Sequence, residues 1–152
     1  MLKMEVFFNT DNGFIEIENL GKTLVFDDLD YIEGAIELKM FGEVPINKNI
    51  VDYVDQVLAY FIDNVYLLIF EDSKNIAFYY PDQAFKVELM IKRKNILIST
   101  KYGLIEVNFK DFWKVFSEKA VQFFQYLSEC DPYLESNSKY YMNRIFHINN
   151  SF

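Results

Sequence analysis

Ile32-Glu33-Gly34-Ala35-Ile36-Glu37-Leu38-Lys39-Met40 and, after a short break, Ile50-Val51-Asp52-Tyr53-Val54-Asp55-Gln56-Val57-Leu58-Ala59-Tyr60-Phe61-Ile62-Asp63 together decide the fold class. In the first stretch Ile32, Gly34, Ile36, Leu38 and Met40 alternate with Glu33, Ala35, Glu37 and Lys39. A period of two puts one face of a strand on a core and the other in water, as antiparallel sheets permit. In the second, Ile50, Val54, Val57, Leu58, Phe61, Ile62, Val65 and Ile69 recur at helical spacing, with Asp52, Asp55, Gln56 and Asp63 opposite. This spacing predicts a helix from about Ile50 to Leu68, with Asn49 capping its start and Asp52 complementing its dipole.

Toward the N-terminus, Met4, Val6 and Phe8 read as a strand, and Thr10-Asp11-Asn12-Gly13 as a tight turn because Asn-Gly accepts positive φ. Phe14 to Glu18 is the returning strand. Leu20-Gly21-Lys22 predicts a turn into a further strand, Thr23 to Phe26, and Asp27-Asp28-Leu29-Asp30 an acidic loop. Phe41-Gly42-Glu43 and Pro45 end the strand that begins at Ile32.

Toward the C-terminus a second β block is predicted over Asn75 to Tyr80, Phe85 to Lys92, Ile96 to Lys101 and Leu104 to Asn108, joined by hairpin-length turns. Asn108 caps a second helix, with Asp111 three residues on and Val107 stapled to Phe112. Phe112, Val115, Phe116, Ala120, Phe123, Phe124 and Leu127 form its apolar stripe, and Asp131-Pro132 stops it. The tail 133–152, with Tyr140, Tyr141, Ile145 and Phe146, is expected to dock as a short helix. The order predicts one α+β domain over 1–152: a mostly antiparallel sheet of about six to eight strands with two main amphipathic helices on one face. Ile32, Ile36, Leu38, Phe61, Ile62, Phe85, Val87, Leu89, Phe116, Ala120 and Phe123 are expected to share its core.

Composition narrows the function. Sixteen Phe, eleven Tyr and 51% hydrophobic residues build a dense core, but there is one His, one Cys and only five Gly. The net charge of −8 repels nucleic-acid phosphates and anionic headgroups and favours a cationic partner. A single Cys130 without C-x-x-C spacing forms no internal disulfide. Met1-Leu2-Lys3-Met4-Glu5 lacks an apolar signal region, and Val65 to Phe70 is far short of a membrane span, so a cytoplasmic location is expected.

Few residues suggest chemistry. Asp27, Asp28 and Asp30 are the tight carboxylate cluster, but they lack EF-hand spacing and read as a solvated turn. Glu16, Glu18, Glu33 and Glu37 sit on strand faces and suit an acidic docking surface better than acid/base work. His147 and Cys130 stand in no nucleophile–base motif. Phosphate-cradling glycine loops are missing, and Lys92-Arg93-Lys94 reads as a hairpin turn, not a nucleic-acid site.

Val54-Asp55-Gln56-Val57-Leu58-Ala59-Tyr60-Phe61-Ile62 followed by Tyr79-Tyr80-Pro81-Asp82-Gln83 is similar to a pairing in small bacterial proteins. Their size, acidity and α+β layout resemble immunity proteins of polymorphic toxin systems. The resemblance implies inhibition by occlusion of a cognate toxin's active site and carries over no catalytic residues. Three readings follow: an immunity protein, a regulatory module with a non-toxin partner, and a small hydrolase with an acidic site. The non-catalytic, protein-binding readings fit best. The expected interface is the polar face of the first helix, Asp52, Asp55 and Asp63, with Tyr60 as aromatic anchor. No metal or organic cofactor is expected, so a chelator should leave the melting temperature unchanged in a thermal scan; an ion bound only to the folded state would shift it.

Overall fold

The computed structural model describes residues 1–21 and 23–152. The chain runs through β1 (Lys3–Thr10), β2 (Gly13–Glu16), a one-turn 3-10 helix (Ile17–Asn19), β3 (Glu33–Met40), β4 (Glu43–Ile46) and β5 (Asp52–Tyr53) into helix α1 (Val54–Phe70). It continues through β6 (Asn75–Tyr79), β7 (Lys86–Lys92), β8 (Asn95–Thr100) and β9 (Gly103–Asn108) to α2 (Phe109–Cys130), a 3-10 turn (Pro132–Leu134) and α3 (Glu135–Asn149).

The α+β class holds, but the strands divide into two antiparallel sheets instead of one. The first has the order β2-β1-β3-β4, with β5 also paired to β3; the second is the meander β6-β7-β8-β9. The division falls where β4 meets β9. Pro45 has no N–H to donate to a ladder, so β4 does not extend pairing into the second sheet. Instead the Thr100 hydroxyl donates to the Pro45 carbonyl.

β4 itself was hidden by its turn. Phe41 and Gly42 both take positive φ, 51° and 81°, which folds β3 back on itself where Gly-Glu-Pro predicts a stop. The strand expected at Thr23 to Phe26 does not form. Leu24 donates its N–H to the Tyr126 hydroxyl (2.8 Å) and Phe26 lays its ring near Phe8 (5.6 Å), so this segment is held by side chains of the core. The turn expected at Leu20-Gly21-Lys22 includes Lys22, which lies outside the described residues.

Helix α1 starts at Val54, later than the periodicity predicts, and Asn49 does not cap it. Asp52 and Tyr53 pair instead with Gly34 and Glu33 of β3, and Val54 donates its N–H to the Ile32 carbonyl (3.0 Å). Nonlocal pairing has overridden a local helical preference. At this crossing β3 needs a glycine. A Cβ on Gly34 would lie 2.1 Å from the Phe7 carbonyl oxygen and 2.7 Å from Val54 Cγ1.

Both sheets bury one face against α1 and α2, and all eleven expected core residues lie in one continuous hydrophobic cluster. Phe61 of α1 meets Phe116 of α2 at 5.3 Å, and Phe8 of β1 stacks on Phe123 at 5.2 Å. Asn108 caps α2 as expected, accepting from Lys110 N–H (3.0 Å). The tail docks as a full helix. Tyr141 stacks on Phe124 (5.4 Å), Ile145 and Ile148 are buried, and Trp113 Nε1 donates to Asn149 (2.6 Å).

Adding one methyl at the crossing tests this architecture. Gly34→Ala should cost about 3 kcal/mol or more, because the obstacle is backbone and cannot rotate away. Urea unfolding measures it; parental stability would mean that β1, β3 and α1 do not converge there.

Candidate functional site

The four residues of the expected interface do not present one open acidic face: Asp52 is buried, and Asp55, Tyr60 and Asp63 are only partly exposed. Asp52 belongs to β5 and is buried; its carboxylate accepts from Tyr53 N–H (2.7 Å) and Asp82 N–H (3.0 Å), and so clasps the β6–β7 loop to the first sheet. Beside it Gln83 Nε2 donates to the Val51 carbonyl (3.1 Å). Tyr60 is half-buried, with its ring edge toward Phe78 at 6.2 Å. Asp63 pairs with Arg144 (3.0 Å) and accepts from the Tyr141 hydroxyl (3.3 Å), which ties α3 to α1. Burial raises its carboxyl above the ordinary value, and Arg144 opposes that shift.

Asp55 lies in the first turn of α1 with its Oδ1 enclosed and without a hydrogen-bond partner. Desolvation pushes its carboxyl up to about 6, with the amides of Gln56 and Asp55 lowering it and nearby Asp30 raising it further. The Tyr80 hydroxyl is also buried without a partner; desolvation and the proximity of Asp52 raise its pKa.

Unpaired acidity gathers elsewhere. Asp11 from the β1–β2 turn, Asp27 and Asp28 from the loop before β3, and Glu33 at the start of β3 line an open cleft of about 400 Å³. Phe8, Phe26, Ile32 and Tyr31 supply apolar wall. The cleft has a cause in the sequence. Pairing of β1 with β3 sets Phe8 opposite Gly34, so the chain ends at Asn9 to Asp11 and at Glu33 emerge together. The Asp28 carboxylate accepts from Asp30 N–H (2.9 Å) and the Asp28 carbonyl from Tyr31 N–H (3.4 Å), which shapes the loop above them.

Asn9 Nδ2 donates to Glu33 (3.4 Å), but none of the four carboxylates forms an ion pair among the described residues. Tyr31, more than half exposed, rests against Tyr53 at 4.9 Å, and Tyr133 donates its hydroxyl to Asp30 (2.8 Å). By contrast Glu16 and Glu18 share Lys119, and Glu37 pairs with Lys39 (3.3 Å).

Charge is divided along the chain in the same sense. Residues 1–73 carry fifteen carboxylates against four lysines, whereas residues 74–108, the second sheet, carry six basic residues against three acidic ones. The remaining helical segment is balanced.

Other candidates stay apart from the cleft. Burial raises the Cys130 thiol, the reverse of an activated nucleophile, and its neighbours are Tyr126 and the Leu24 backbone. His147 is exposed in the last turn of α3. Lys92 ends β7, and Arg93 and Lys94 form the β7–β8 turn; all three are exposed. Among the described residues no group of three His, Cys, Asp or Glu side chains could hold a metal ion, and no helix is long and apolar enough to cross a membrane. Comparison with protein-family models, curated proteins and solved structures gives no match.

The Asp55 shift fixes a pH dependence. Its carboxyl binds a proton more tightly folded, at about 6, than at the ordinary 3.8, so its favourable contribution is complete below about 4 and is lost as pH rises through 6. Asp55→Asn should stabilise the fold at pH 7 by on the order of 2 kcal/mol and do little at pH 4. Urea unfolding across that range measures both, and an unchanged slope in the variant would assign the titration to another group.

Proposed function

We propose that this protein is a non-catalytic binding domain that receives a basic segment of a protein partner in the acidic cleft at the end of β1 and β3. One observation carries the reading: Asp11, Asp27, Asp28 and Glu33 converge on one cleft, and among the described residues none of them has a cation paired to it. Left unpaired, they repel one another, and an arriving lysine or arginine relieves that repulsion. Tyr31 and Phe26 offer the aromatic surface on which a guanidinium or aliphatic stem packs.

The resemblance to toxin-immunity proteins extends the proposal to a specific role. A basic nuclease-like toxin whose active site is covered by this cleft would be inhibited by occlusion, and complementary charge would speed its capture. A regulatory partner with a basic segment would use the same cleft, and the identity of the co-purified protein separates the two roles.

Native co-purification identifies the partner, and stopped-flow association then tests the site. Asp27→Lys combined with Asp28→Lys should slow association roughly tenfold at low salt, while added salt slows the parent toward the variant. Asp52 stays unaltered because it clasps the two sheets. A folded double variant that associates at the parental rate would place the interface elsewhere.

A further inference from the structure

Apart from the two-residue β5, three of the four sheet edges are protected. β2 is four residues long and ends at Glu16, which pairs with Lys119. β4 carries Pro45, and β4 and β9 lie beside each other, with Gly103 against Glu43. The fourth edge, β6, has no such device. Its sequence, Asn75-Ile76-Ala77-Phe78-Tyr79, has no charge and no proline. Natural edge strands normally carry one or the other, because an open ladder recruits further strands.

The hydrogen-bond phase shows which groups are open. Tyr80 donates its N–H to Phe85, and Ile91 donates to Lys74. With the register Ile76–Leu89 and Phe78–Val87, the even-numbered residues therefore bond to β7. Asn75, Ala77 and Tyr79 direct their N–H and C=O groups away from the sheet, and their side chains are exposed.

We propose that this edge pairs with the same edge of a second copy about a two-fold axis, joining two four-stranded sheets into one of eight strands. A strand is the occupant because only extended backbone matches donors and acceptors spaced along alternate residues. The second copy fits because the strand matches itself about its own centre. In antiparallel register about Ala77, the smallest side chain of the strand faces itself, Asn75 faces Tyr79, and Ile76 faces Phe78, so no like charges or bulky twins meet. Tyr79 (59% exposed) and, opposite Asn75, Met90 (40% exposed) give the seam apolar surface.

Sedimentation over a range of protein concentration, with hydrogen exchange in parallel, tests the dimer on the intact chain. A reversible monomer–dimer equilibrium is expected. Ala77→Pro removes only the outward N–H and should weaken the dimer roughly thirtyfold, the loss of two hydrogen bonds of ordinary net strength across the axis. Ala77→Lys, at an exposed position, places like charges face to face and weakens the dimer without relying on the proline variant to fold. In the parent, the Asn75, Ala77 and Tyr79 amides should gain protection as concentration rises, while those of Ile76 and Phe78 are protected throughout. Added salt should tighten the dimer by screening the net charge, the opposite of its effect on partner capture in the cleft. A chain that stays monomeric up to millimolar concentration overturns the proposal, as does a dimer unaffected by both substitutions.

Discussion

Everything in the first sheet is arranged around the absence of a side chain at residue 34. The Phe7 carbonyl and the Val54 side chain both occupy the space a Cβ would need. That approach lets β3 pair with β1 on one side and with the two residues of β5 on the other. Since β5 leads directly into α1, the pairing of Asp52 with Gly34 also sets where the helix begins and which of its side chains reach the core. Phe61 then meets both Phe78 of the second sheet and Phe116 of α2. A single glycine thus governs the placement of the helix that links the two halves.

The two halves are held by polar clasps as well as by rings. Asp52 holds the Asp82 amide, Gln83 holds the Val51 carbonyl, and Thr100 holds the carbonyl of Pro45. Hydrogen bonds to charged groups contribute about 1.5–3 kcal/mol, so the buried Asp52 carboxylate is the strongest of the three. Asp55, three residues later, works in the other direction: it is desolvated, without a partner at Oδ1, and costs stability at neutral pH. Its neighbour in the field is Asp30, which adjoins the cleft loop, so the cost falls where unpaired acidity is already concentrated.

Strands and helices that depend on local pattern were legible in the sequence. Alternation around Ile36 and Val87, the Asn108 cap and the Phe stripe of α2 all form as their spacing predicts. What failed depended on distant partners. Asp52 has the same spacing from Asp55 as a helical neighbour, and only the β3 backbone and the Asp82 amide, thirty residues away, reveal it as a strand residue. Asp63 reads as a solvated helix charge until Arg144 and Tyr141 arrive from the tail. The cleft was half visible: Asp27 and Asp28 stand out within the acidic loop, but Asp11 and Glu33 join them only through the β1–β3 register.

The split of charge between the acidic first segment and the basic second sheet makes the molecule a permanent electric dipole. A charged body that approaches such a dipole exerts a torque as well as an attraction. A cationic partner arriving from any side would turn the protein before contact, so that the cleft end leads; an anionic surface would meet the β7–β8 turn instead. Orientation is then selected in free solution, over a distance of about one Debye length, roughly 8 Å at physiological salt.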